Sequence, residues 1–130
     1  SQCAFAASAC RVIGWASRHH VENAVMFVEC SAATDICGVL EMHRADKDLH
    51  RHGLYAIGCL AHYGGGAAQA ISAGALGIVH RSLGLHRDSP SVQINGCEVL
   101  RCLAESGDAP MEDLGRLALD AKRAFPRDQT

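Results

Sequence analysis

Two stretches decide the fold. His43-Arg-Ala-Asp-Lys-Asp-Leu-His-Arg-His-Gly-Leu-Tyr-Ala-Ile-Gly-Cys-Leu-Ala61 aligns without a gap on His86-Arg-Asp-Ser-Pro-Ser-Val-Gln-Ile-Asn-Gly-Cys-Glu-Val-Leu-Arg-Cys-Leu-Ala104, 43 residues later, and six of the nineteen positions are identical. The identities are His43/His86, Arg44/Arg87, Gly53/Gly96, Cys59/Cys102, Leu60/Leu103 and Ala61/Ala104. In both copies the apolar residues recur at helical spacing on one side: Leu49, Gly53/Leu54, Ile57 and Leu60/Ala61 in the first, Val92, Gly96/Cys97, Leu100 and Leu103/Ala104 in the second. Each copy is therefore expected to be a one-sided amphipathic helix, with Ile57, Leu60, Leu100 and Leu103 buried.

The starts of these helices repeat as well. Ser89-Pro90 reads as a capping hydroxyl followed by proline at the first helical position, and Asp46 stands in the Ser89 place one period earlier. His43 and His86 fall in the last turn of a preceding apolar helix, expected over Ala33 to His43 and Leu76 to His86, where a cation suits the exposed carbonyls. A glycine inside a helix costs about 1 kcal/mol relative to alanine. Its recurrence at Gly53 and Gly96 points to a second backbone crossing there.

An earlier partial copy, Ala9 to Ser17, aligns with Gly53 to Ala61 at a shift of 44, and a later one begins near Met111 with the stripe Leu114, Leu117, Ala118 and Ala121. Helices are expected at about 3–18, 21–30, 33–43, 47–62, 67–73, 75–86, 90–105 and 111–125, broken by Gly64-Gly-Gly66 and Gly107-Asp-Ala-Pro110. No stretch alternates apolar and polar residues long enough to need a strand. A chain starting at Ser1 without Met, already inside a helical pattern, reads as part of something longer with flanking repeats or domains.

Composition narrows the function classes. With 48% apolar and 20% charged residues among 130, the chain resembles a folding globular protein rather than a disordered one. Twelve basic against fourteen acidic residues give a formal charge of −2, which names neither nucleic acid nor an anionic membrane as partner. Seven cysteines without a CxxC pair read as reduced thiols packed as small hydrophobes, and so as an intracellular, cytoplasmic or nuclear chain.

Ala73-Gly-Ala-Leu-Gly-Ile-Val79, His86, Val92-Gln93 and Gly96 to Ala104 together resemble one armadillo repeat, and the likeness covers about Ala33 to Ala104. It implies an all-α, right-handed armadillo-like superhelix of about three repeats: a partial one over 1–18, repeats at about 19–62 and 63–105, and a partial one over 106–130. Gly74 would be the turn between the first two helices of a repeat. The implied function is a protein–protein interaction scaffold holding a protein partner on its concave face.

In peptide-binding members of that family the third helix carries an Asn with a Trp one turn earlier. Carried over by position, the Asn places are Trp15, Cys59 and Cys102, and the Trp places are Arg11, Tyr55 and Glu98; none matches. Cysteine replaces poorly an amide that both donates and accepts. The six residues Arg11, Trp15, Tyr55, Cys59, Glu98 and Cys102 nonetheless form the expected partner-binding row, with Tyr55 exposed along it.

Two other readings stand beside this one. Eight histidines and seven cysteines raise a metal-binding helical domain, but there is no CxxC or HExxH, and His50-x-His52 would point its imidazoles to different sides of a helix. The histidines are then expected on the surface. A purely structural spacer is the other alternative. A thiol enzyme with Cys59 or Cys102 as nucleophile and His62 or His80 as base fits a repeat array poorly, so no catalytic residue, metal or cofactor is expected.

Overall fold

The computed structural model describes residues 2–123, and these form eight α-helices: α1 (Gln2–Ser17), α2 (Val21–Glu29), α3 (Ala32–Met42), α4 (Lys47–Gly64), α5 (Ala67–Ser72), α6 (Ala75–Leu85), α7 (Pro90–Ser106) and α8 (Met111–Arg123). The chain is all-α, with no strand among the described residues. The boundaries expected from sequence hold to within two residues where they can be compared; the end of the last helix, placed at 125, lies outside the described residues. No helix among the described residues is long and apolar enough to cross a membrane.

The starts of α4 and α7 use the chemistry their sequences announce. Asp46 Oδ1 accepts from the Leu49 amide at 2.9 Å, and Ser89 Oγ accepts from the Val92 amide at 3.3 Å with Pro90 opening the helix. Helix α4 runs past the expected stop at 62 to Gly64 and ends on Gly65, whose left-handed backbone lets the Gly66 amide donate to the Leu60 carbonyl at 3.0 Å. The turns before α6 and α3 are the same turn built twice: Gly74 has φ +92°, and Ser31, 43 residues earlier, has φ +63°. In that conformation glycine is unstrained and serine is not.

Helix α4 lies at the centre, packed on α1, α2, α3 and α7, while α6 bridges α3 and α7. Leu40, Leu49, Leu54, Ile57, Leu60, Val79, Val92, Val99 and Leu103 are fully buried, and Leu100 joins the same core. Among the expected stripe residues of α8, Leu117 is buried and Leu114 packs against the core, whereas Ala118 is exposed.

Contacts recur with the 43-residue spacing. A Cβ on Gly53 would lie 2.6 Å from Leu40 Cδ2, and a Cβ on Gly96 would lie 2.8 Å from Leu83 Cδ2. The repeated glycine thus makes room for a leucine side chain of the preceding helix, not for a crossing backbone as the sequence had implied. His50 Nε2 sits 3.1 Å from both the Leu40 and His43 carbonyls, and Gln93 Nε2 sits 3.0 Å from both the Leu83 and His86 carbonyls. An imidazole and an amide do the same work at equivalent places, tying each helix end to the start of the next.

The histidines are not all on the surface. His50 is 2% and His86 4% exposed, and their rings lie 5.1 Å apart. Buried polar rings are tolerated where each polar atom finds a partner, which is the case for the His50 nitrogens.

Candidate functional site

Helices α1, α4 and α7 carry the six residues of the expected row. Tyr55, Cys59, Glu98 and Cys102 line one groove with a cavity volume of about 280 Å3, together with Arg18, Leu54, Gly58, His62, Tyr63, Asn95 and Arg101. Arg11 lies apart, lining a second depression with Cys3, Asp46, Asp48 and His52. Trp15 lines neither, but its ring lies 6.3 Å from that of Tyr55, with the Arg18 guanidinium 5.7 Å over its face.

Exposure differs from the expectation for three of the six. Trp15 is 60% exposed, whereas Tyr55 is only half-buried and packs across the α1–α4 seam. The reason is Gly14: a Cβ there would lie 2.6 Å from Tyr55 Cδ2, so the phenol ring lies where α1 lacks a side chain. Cys59 and Cys102 are 7% and 6% exposed and so form the floor of the groove more than its lip. Arg11 and Glu98 are exposed as expected.

Burial sets the chemistry of this floor. It pushes the Cys59 thiol above its ordinary pKa, while the Tyr55 hydroxyl and Arg18 pull the other way and lose. Cys102 is raised by burial too, and so is Tyr55, whose buried hydroxyl lies beside the Cys59 thiol and Arg18. All three stay protonated at neutral pH. Protonated thiols are poor nucleophiles, and here they present soft, polarizable surface.

The lip is charged. Arg101 Nη2 donates to Glu98 Oε2 at 2.8 Å and Nη1 to Glu105 Oε1 at 2.7 Å, and the bond to Arg101 holds the Glu98 carboxyl below its usual range. Asn95 Nδ2 donates to the Arg51 carbonyl at 2.9 Å, joining α7 to α4. At the other end Tyr63 packs edge-on against His62, with ring centroids 4.6 Å apart, and lies 5.2 Å from His19.

The sequence row missed Arg18, His62, Asn95 and Arg101. A step of three finds all four, since Arg18 follows Trp15, His62 follows Cys59, and Asn95 and Arg101 flank Glu98 at that spacing.

Helix register also explains why Arg101 stands out. Gly14 faces Ala56 of α4, with its added Cβ 3.5 Å from the Ala56 Cα, and Gly58 faces Val99 of α7, with its added Cβ 3.8 Å from Val99 Cγ2. The next position in that series, 43 residues on from Gly58, is Arg101.

All seven cysteines are free, and among the described residues no three or more His, Cys, Asp or Glu side chains converge in a way that would hold a metal ion. No family model, curated protein or solved structure matches the chain.

Proposed function

We propose that this chain is an armadillo-like α-solenoid segment that binds a protein partner in the groove between α4 and α7. The observation that carries the reading is the convergence on one groove of Tyr55, Cys59, Glu98 and Cys102, four of the six positions that the armadillo resemblance implies. The recurrence of caps, left-handed turns and carbonyl ties at a 43-residue spacing supports the repeat architecture.

The lining of the groove favours a protein partner. Its volume of about 280 Å3 is close to the lower end of small-molecule pockets, roughly 300 Å3. It is large enough to take a side chain or two from a docked surface. Tyrosine and arginine line it, and both are enriched among residues that dominate binding energy.

The test uses side chains that leave the fold alone. Glu98 and Arg18 are both exposed. A partner recovered with the full chain should bind Glu98→Ala or Arg18→Ala at least about tenfold more weakly, the scale of an anchoring contact, with helical content and Tm retained. Unchanged affinity in both variants would move the interaction to another face.

A further inference from the structure

The seam between the two repeat-like units holds a polar cluster that the groove does not use. His50, at the start of α4, Ser82, near the end of α6, and His86, just after α6, are 2%, 0% and 4% exposed. His50 Nε2 has two carbonyl oxygens within 3.1 Å, Leu40 and His43, so this nitrogen carries the proton and donates. His50 Nδ1 must then accept, and its neighbour is the Ser82 hydroxyl at 2.5 Å. His86 Nε2 lies 2.9 Å from the Arg44 carbonyl and donates to it across the same seam. The surroundings thus fix the tautomer of the neutral ring: two acceptors on one nitrogen and a donating hydroxyl on the other.

We infer that this cluster is a proton-sensitive joint: protonation of His50 loosens the packing of α3 and α4 against α6. Adding a proton to Nδ1 makes the Ser82 hydroxyl turn from donor to acceptor, and places a cation in a buried site beside a second imidazole 5.1 Å away. The groups that act on His50 from neighbouring elements are few. Helix α3 and its end present the Leu40 and His43 carbonyls, α6 presents Ser82, the turn after α6 presents His86, and Asp46 caps its own helix. Asp88, in the turn that follows His86, is bound by Lys47 at 2.7 Å. Burial and the neighbouring His86 hold His50 below the ordinary imidazole pKa, outweighing the His43 and Leu40 carbonyls and Asp46, which favour the cation.

The direction follows from that shift. The unfolded chain takes up a proton near pH 6.5, the folded chain only at lower pH, so acid favours unfolding in between. The stability that neutral His50 contributes is complete above about pH 6.5 and is lost as pH falls through the window below it. Per pH unit in that window, one such group lowers the folding constant by up to about tenfold.

The molecule supplies its own control, because Gln93 makes the equivalent two carbonyl bonds with an amide that does not titrate. In His50→Gln the amide nitrogen can reach the same carbonyls and the amide oxygen can accept from Ser82. Urea denaturation of the full chain at about pH 7.5 and about pH 5.5 should show the wild type losing several-fold, up to about tenfold, more of its folding constant than His50→Gln. An equal loss in both overturns the joint. NMR titration of the wild-type ring gives a second reading that needs no variant: a His50 midpoint clearly below 6.5, with Nε2 protonated in the neutral form, is expected, and a midpoint at or above 6.5 refutes the inference. The joint does not depend on the groove, so either proposal survives failure of the other.

Discussion

Substituting Gly53 with alanine sets two known effects against each other at one atom. Alanine gains about 1 kcal/mol over glycine in a helix interior. Against this, the new methyl would lie 2.6 Å from Leu40 Cδ2 and 3.1 Å from both Cδ1 and Cγ, so turning one methyl aside does not relieve the clash. Leu40 is fully buried and has nowhere to go. Overpacking of this kind costs about 1–3 kcal/mol, which leaves Gly53→Ala roughly neutral to about 2 kcal/mol destabilised. Gly38 in α3 is the control, since nothing lies within 4 Å of an added Cβ there. Gly38→Ala should stabilise by about 1 kcal/mol. Urea denaturation followed by circular dichroism at pH 7.5 measures both, and the gap between them should be about 1–3 kcal/mol. A double-mutant cycle then isolates the contact. Leu40→Ala alone should cost about 2–5 kcal/mol and should cost less by about 1–3 in the Gly53→Ala background, where it removes all three crowding atoms. If Gly53→Ala proves as stabilising as Gly38→Ala, the close approach of Leu40 is wrong, and with it the reason for the repeated glycine.

Ser31 holds the left-handed turn that Gly74 holds one period later, so Ser31→Gly should raise stability by about 0.5–1 kcal/mol, the backbone strain relieved less the entropy that glycine returns to the unfolded chain; a lower Tm would contradict the turn. The two aromatics of the expected row should separate in the same measurement. Tyr55→Ala, which empties the seam over Gly14, should cost about 2 kcal/mol, while Trp15→Ala, largely in solvent, should cost less than about 1 kcal/mol. Equal losses would mean the two rings share one environment.

The helices were legible because their ends are chemical statements. Asp46, Ser89-Pro90 and the glycines at 65 and 107 fix starts and stops through single hydrogen bonds or single dihedral angles, and such signals survive in a bare sequence. The groove was legible in part. The armadillo resemblance picked Tyr55, Cys59, Glu98 and Cys102, and residues one turn apart on a helix share a face, so they fall together; their depth was not legible. Depth depends on how closely α1 and α7 approach α4, and at Gly14 that approach needs a missing side chain, since a Cβ there would lie 2.6 Å from Tyr55 Cδ2. The histidine joint was invisible for another reason. His50 and Gln93 share no letter, no charge and no shape, only a nitrogen that donates at the same point in space. An alignment scores residue types, whereas the fold scores donors and acceptors.

Arg101 stands where the two preceding helices of its kind carry glycine, and this gives the stack a direction. Gly14 and Gly58 leave a bare Cα on which Ala56 and Val99 come to rest. A helix laid on α7 in the same way would meet a guanidinium held by the carboxylates of Glu98 and Glu105, and burying that charge cluster costs several kcal/mol per ion unless every bond is kept. Arg101 thus disfavours a further helix on α7 in the register that seats α4 on α1 and α7 on α4.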